Sequence, residues 1–404
     1  MAKERRENKS RGRILRTGES QRPDGRYCYK YVDANGKPKF LYSWKLEPHD
    51  PLPKGKRQDI SLREKEKNLL KDQLDGIDHA GANMTVLDLY KRHINLNAQV
   101  KPNTQGSRER RVKRLQNDPL ASMRIGNVKL SDAKAWALRQ HEKGFAYHTI
   151  RTDKRALIAA FYAAIADDFI RKNPFDFKLT DVIKDDTETK TPLTAEQEES
   201  LLDFVRTDHV YRAYYDELVI LLGTGLRISE LCGLTESDID MEAGVITIDH
   251  QLLRTNKIGR YVSDPKTKCG ARKVGMRDDV KEAFRRVLAR PRKSNVSIDS
   301  YSNFLFLTRT GNPRTAIDYQ TILRRIREKH AKKYGPILPE NMTPHTMRHT
   351  FCTRMALAGM NPKSLQYIMG HADIKITMNY YAHSDPDVAM DDLRRTQPGP
   401  ASAA

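Results

Sequence analysis

Three short stretches of this 404-residue chain bring reactive side chains to helical spacing or to a turn. The first is Leu222-Gly223-Thr224-Gly225-Leu226-Arg227-Ile228-Ser229-Glu230-Leu231. Its glycines permit a turn after an apolar run, and Arg227 then opens a new helix. Glu230, at i+3, shares a face with Arg227, so a structural ion pair is the simplest use of this arginine. The second stretch is Thr343-Pro344-His345-Thr346-Met347-Arg348-His349. Thr343 suits an N-cap and Pro344 the first helical position. His345 and Arg348 share a face and can offer one phosphate a proton-handling ring and a fixed cation. His345 and His349 have the spacing of a metal pair, but no third ligand or HExxH-type glutamate accompanies them, so no metal is expected. The third stretch is Gly370-His371, after a helix opened by Asn361-Pro362, followed by Asn379-Tyr380-Tyr381-Ala382-His383. Taken singly, a tyrosine here is as readily core and the histidine a polar cap.

Taken together, two arginines, two histidines, a lysine and a tyrosine point to one reaction. A tyrosine hydroxyl can attack a DNA phosphodiester and form a phosphotyrosyl bond. The pentacoordinate phosphorane that develops is more negative than the ground state, and two guanidiniums around it stabilise that charge. The 5′-oxygen leaving group needs a general acid, which a Lys or His supplies. With cations filling the clamp, neither a metal nor another cofactor is required.

The elements that must hold these residues are mostly helical. From Thr194, where Thr194 and Gln197 have capping-box spacing, helices dominate to about residue 390, with a strand group between Val245 and Met276. Upstream, helices are expected over 86–95, 105–115, 131–143 (capped by Ser131) and 147–168. Two basic stripes there, Arg108 to Arg114 and His148, Arg151, Lys154 and Arg155, suit phosphate contacts, although each alone is more often a solvated face. Near the N-terminus, Arg26 to Val32 and Lys39 to Trp44 flank Asp33-Ala34-Asn35-Gly36, a strong hairpin cue. Alternation of Tyr and Lys predicts aromatics on one face and cations on the other. Arg13-Ile14-Leu15 is a candidate third strand, and a helix from Ser61 to about Leu74 would cover the sheet. Residues 76–83 and 185–190 read as linkers.

Lys and Arg number 72 against 52 Asp and Glu, a formal charge of +20. That surplus favours a polyanionic partner, nucleic acid above all. The four cysteines are scattered, without a CxxC pair, which argues against zinc or a disulfide framework. There is no signal-peptide h-region and no membrane-length apolar run, so a cytoplasmic protein without membrane association is expected.

The ordered set TGLRISEL, PKTKCGARKV, TPHTMRHTF, IMGHADIKIT and MNYYAH resembles the tyrosine recombinase family, whose pattern is Arg, Lys, His-x-x-Arg, His/Trp and Tyr. The resemblance implies an α+β, mostly helical protein in which Arg227, Lys266 (with Lys268 as rival), His345, Arg348 and His371 act on the phosphate. Tyr381, rather than Tyr380, is the implied nucleophile, and Glu230 braces Arg227. Where many relatives have Pro, this chain has Gly275. The layout is similar to that of phage and conjugative-transposon integrases. It implies an arm-site DNA-binding sheet domain (1–80), a helical core-site DNA-binding domain (81–186), a mixed α/β catalytic domain (187–396) and a disordered tail (397–404). The implied partners are double-stranded DNA, three further copies in a homo-tetramer on DNA, an excisionase and a host DNA-bending protein, in a bacterial cytoplasm. Rival readings are a non-enzymatic DNA-binding protein, a metal-dependent nuclease or transposase, and a chromosome-dimer resolvase of the Xer type. The intact residue set disfavours the first. The lack of converging carboxylates disfavours the second. The basic N-terminal sheet disfavours the third.

Overall fold

A computed structural model describes residues 13–32, 38–74, 83–187, 191–265, 267–291 and 296–381, with residues 81 and 294. The expected Asp33–Gly36 turn, most of the first linker, part of the second, Lys266 and the tail lie outside the described residues. The chain divides into two compact units, Met1–Thr187 and Glu188–Ala404.

The first unit begins with a three-stranded antiparallel sheet, β1 (Glu19–Gln21), β2 (Tyr27–Val32) and β3 (Pro38–Ser43), in the order β1-β2-β3. The expected third strand at Arg13 to Leu15 is displaced to β1. Arg22-Pro23-Asp24-Gly25 makes the turn, with Gly25 at φ +89 and its N–H donating to Arg22 O, and this sets Glu19 opposite Tyr29. Tyr27, Leu46 and Leu62 form the local core, with Tyr29 and Leu41 against it. Leu62 opens α1 (Leu62–Leu74). The face separation holds for β2 but not for β3. Pairing Lys30 with Phe40 and Cys28 with Tyr42 puts two aromatic rings on the cationic face. Arg22 and Arg26 lie over the Tyr42 ring, at 5.3 and 5.4 Å from its centroid.

The helical part of this unit holds α2 (Val86–Leu96), α3 (Pro102–Gln116), α4 (Leu130–Glu142) and α5 (Tyr147–Ala166) around Tyr90, Leu120, Trp136, Phe161 and Phe175. Ser131 does not cap α4. The helix starts one residue earlier, and the Asp132 carboxylate accepts from the Lys129 N–H at 2.8 Å. The basic stripes are partly structural. Arg111 and Arg114 both donate to buried Asp153, and Lys154 is buried against Phe177 O at 2.6 Å. Arg110, Lys113 and Arg155 stay exposed.

The second unit starts with α6 (Ala195–Thr207), capped as expected by Thr194 and Gln197. Next comes α7 (Tyr215–Thr224), which is buried at nearly every position, as an all-round apolar helix must be. Gly225 ends it at φ +64, and a Cβ there would lie 2.4 Å from the Phe351 ring, so only glycine fits. α8 (Ile228–Gly233) follows with Arg227 as its N-cap residue. Strands β4 (Ile239–Asp240), β5 (Val245–Ile248) and β8 (Arg272–Gly275) form one antiparallel sheet, and β6 (Gln251–Thr255) and β7 (Gly259–Ser263) form a hairpin. Ile246, Ile248 and Val274 turn inward onto the core with Leu221, Phe284 and Leu323. The remaining helices are α9 (Asp278–Leu288), α10 (Ala316–Tyr334), α11 (Pro344–Leu357), α12 (Pro362–Met369) and α13 (Ile374–Met378). No helix among the described residues is long and apolar enough to cross a membrane.

Candidate active site

Arg227 emerges from the α7–α8 turn with its side chain 28% exposed, while Glu230 on the first turn of α8 is sealed from solvent. The Arg227 guanidinium donates to Glu230 Oε1 at 2.7 Å and to Gly370 O at 2.8 Å, and the Arg227 N–H donates to Glu230 Oε2. The expected ion pair is present, and the carbonyl contact aims the fork toward the α12–α13 junction. Burial alone would raise the Glu230 carboxyl. Hydrogen bonds and charge from Arg272, joined by Arg227, hold it below its ordinary value.

Arg348 approaches from α11. Thr343 caps that helix and Pro344 occupies its first position, as expected. Arg348 is buried, and it donates to Gly225 O at 2.7 Å and Met369 O at 2.5 Å. Burial and the neighbouring Arg227 lower its pKa to about 10, so it remains a cation near neutrality. Arg348 is thus bracketed by carbonyls of the turns ending α7 and α12, while Arg227 is held between Glu230 and a carbonyl of the turn ending α12. His345, one helical turn before Arg348, is exposed and acts electrostatically on His371.

α12 ends at Gly370, φ +61, and the next residue is His371. His371 is buried, with Nδ1 2.9 Å from Thr377 Oγ1 on α13. Burial, then Arg348, Arg227, Arg272 and His345, press its pKa down to about 4. Near neutrality it is therefore a neutral imidazole, which can donate a hydrogen bond to a phosphate oxygen without taking a proton itself.

Tyr380 and Tyr381 follow α13. The Tyr380 ring lies 4.9 Å from that of His349 and 6.4 Å from that of His371. Tyr381 packs beside it in the cluster of Phe351, Leu365 and Met369, and its hydroxyl donates to Met360 O at 2.5 Å. Burial, then Cys352, raises the Tyr381 phenol above its ordinary value. Lys266 lies outside the described residues. Lys268 is placed by its backbone in a 3-10 turn, Lys268–Gly270, whose Cys269 O is 3.0 Å from where a Cβ on Gly370 would be. The lysine-bearing turn therefore abuts the His371 turn.

One group in the site was not singled out from the sequence. Arg272 is buried on β8 and donates to both Glu230 oxygens, at 3.1 and 2.9 Å. The signal for it was period-two alternation, because Arg272 shares the inward face with Val274. Among the described residues, Asp238, Asp249 and His250 are close enough to hold a metal ion. However, His250 places Nε2 2.7 Å from Gly233 O and Nδ1 2.5 Å from Asp249. Both ring nitrogens of His250 are therefore already engaged by partners within the protein.

Residues 191–387 match a profile described as "Phage integrase family", and residues 1–73 match one described as "DNA binding domain of tn916 integrase". The chain is 52% identical over 396 residues to the transposase from transposon Tn916 of Enterococcus faecalis, covering 98% of this chain and 97% of that protein. The chain belongs to the phage integrase family of tyrosine recombinases. It is thus an enzyme of DNA cleavage and religation. Among solved structures it is similar to an Arg-to-Lys variant of the Tn1549 transposon integrase in complex with a circular intermediate DNA. That match has a TM-score of 0.75 and 55% identity over 77% of this chain and 99% of that one. A Tyr-to-Phe variant of the same integrase with transposon right end DNA aligns with a TM-score of 0.74 and 55% identity, over 78% and 99%. The expected α+β recombinase fold is borne out.

Proposed function

We propose that this recombinase integrates and excises a mobile element, and that Tyr381 is its nucleophile. The observation that carries this reading is the pair of guanidiniums, Arg227 aimed by Glu230 and Gly370 O and Arg348 by Gly225 O and Met369 O, beside a neutral His371. Such a pair binds a phosphodiester and stabilises the phosphorane more strongly still. Tyr381 Oη attacks phosphorus, the P–O5′ bond breaks, and a 3′-phosphotyrosine and a 5′-hydroxyl result. His345 accepts the phenolic proton, and Lys266 (or Lys268) protonates the departing 5′-oxygen. The 5′-hydroxyl of a partner strand then attacks the phosphotyrosine and releases Tyr381. Bond energy is kept in the covalent intermediate, so neither ATP nor a metal enters. Two such rounds pass through a Holliday junction.

To reach the phosphate, the Tyr381 hydroxyl must leave Met360 O, whereas Tyr380 already stands near Arg348. The choice of Tyr381 is supported by the two variants of the Tn1549 integrase. Their substituted arginine and tyrosine are separated by the same number of residues as Arg227 and Tyr381. The likeness to an integrase bound to transposon-end and circular-intermediate DNA supports mobile-element ends as the substrate. Residues 1–80 bind arm sites and 81–186 core sites, in a homo-tetramer on DNA. An excisionase and a host DNA-bending protein set direction, and the work is done in the bacterial cytoplasm.

The test is a nicked core-site substrate from which the short fragment bearing the new 5′-hydroxyl diffuses away after cleavage. The protein is expected to become attached to the 3′ end in the presence of EDTA. Binding without attachment would leave a DNA-binding protein only, and attachment abolished by EDTA would favour metal chemistry.

A further inference from the structure

Arg272 opens β8 with its side chain fully buried, so it does not meet DNA. Its Nε donates to Ile368 O at 2.5 Å, its Nη1 to Gly270 O at 2.9 Å and Glu230 Oε1 at 3.1 Å, and its Nη2 to Glu230 Oε2 at 2.9 Å. Each acceptor belongs to a different part of the site. Glu230 fixes Arg227. Gly270 closes the turn after Lys266 and Lys268. Ile368 lies in the last turn of α12, just before Gly370, whose carbonyl receives Arg227, and His371. We propose that Arg272 is a positioning residue for strand cleavage, its planar fork clamping Glu230, the lysine-bearing turn and the end of α12 in one register.

Several features agree with this role. The four contacts leave a single N–H of the guanidinium uncommitted, and only a rigid five-donor fork can make them together; a lysine ammonium cannot. Glu230 is faced by Arg227, by Arg272 and, from α11, by Arg348. Three cations therefore surround one carboxylate, and the excess positive charge is held where a phosphate would sit. A Cβ at residue 370 would meet Arg272 Nη1 at 3.1 Å and Arg227 Nη1 at 3.3 Å, so the glycine turn is itself packed onto this clamp.

The inference rests on the cleavage reading, and the two fail differently. If that reading is wrong, the unsubstituted protein forms no adduct. The test uses full-length protein, the nicked core-site substrate and single-turnover adduct rates across pH, with core-site affinity and melting temperature measured in parallel. Arg272→Lys keeps the charge and loses the fork. It is expected to lower the adduct rate by about 10–100-fold, as outer supporting partners do, with affinity unchanged. Arg272→Met leaves the buried Glu230 carboxylate opposed by less positive charge. Its adduct rate is expected to gain an acid limb, falling as Glu230 protonates, that the unsubstituted protein lacks. Adding Glu230→Gln should remove that limb, with a combined loss smaller than the product of the single losses. The proposal is overturned if Arg272→Lys cleaves at the unsubstituted rate. It is also overturned if Arg272→Met loses rate by one constant factor at every pH, in step with its melting temperature, since that is a structural role alone.

Discussion

At the scale of single residues, the proposed site combines fixed charge with one neutral ring. The orientation of Arg227 and Arg348 is set by the carbonyls of Gly225, Met369 and Gly370, with Glu230 holding Arg227. His371, pressed to about 4 by burial and these arginines, adds a donor without a further cation. Replacing Arg348 by Lys keeps a charge but loses the two-carbonyl anchorage. It is expected to cut the adduct rate by about 10²–10³-fold, the usual loss for one transition-state donor, while core-site affinity in a filter-binding assay changes far less. Equal losses in both would place Arg348 in ground-state binding. The arginines, histidines and tyrosine of the proposed site could be singled out in the sequence because chemistry restricts their types and order. The carbonyl acceptors were not, because any residue supplies a carbonyl, and Arg272 was not, because its partner Glu230 is 42 positions away.

At the scale of elements, caps and turns were read well where their chemistry is local. Thr194, Thr343, Pro344 and Gly370 stand where expected. The misplaced first strand and the Ser131 cap failed for the same reason, since a competing local signal won: the Pro23-Asp24-Gly25 turn in one case and Asp132 in the other. Beneath the N-terminal sheet, a further feature depended on tertiary packing. Glu66 on α1 is buried beside Glu19, which already holds Arg63. Burial and the Glu19 charge push the Glu66 carboxyl up to about 7. A raised folded-state value contributes stability at pH below the unfolded value near 4.5, and that contribution is lost as pH rises through about 7. In full-length protein carrying Trp136→Phe, Trp44 fluorescence should report sheet unfolding at lower temperature as pH rises from about 5 to about 8. Glu66→Gln should flatten that dependence. A slope untouched by the substitution would rule out this carboxyl pair as its source.

At the scale of the whole molecule, a charge of +20 is distributed over two compact units. It makes DNA affinity fall steeply with salt. Composition alone could announce the polyanion but not the division of labour, because Arg111, Arg114 and Lys154 are spent on internal contacts that only the folded helices reveal. Removing residues 1–80 is expected to abolish arm-site footprints while core-site binding and adduct formation survive; a deletion that also lost core binding would refute the two-site layout. The most direct test of the central claim maps the covalent bond itself. The Tyr381→Phe and Tyr380→Phe proteins are each incubated with the nicked core-site DNA, and any adduct is located by peptide mass spectrometry. The expected result is no adduct with Tyr381→Phe, and an adduct on Tyr381, formed more slowly, with Tyr380→Phe. A covalent adduct formed by Tyr381→Phe would contradict the account.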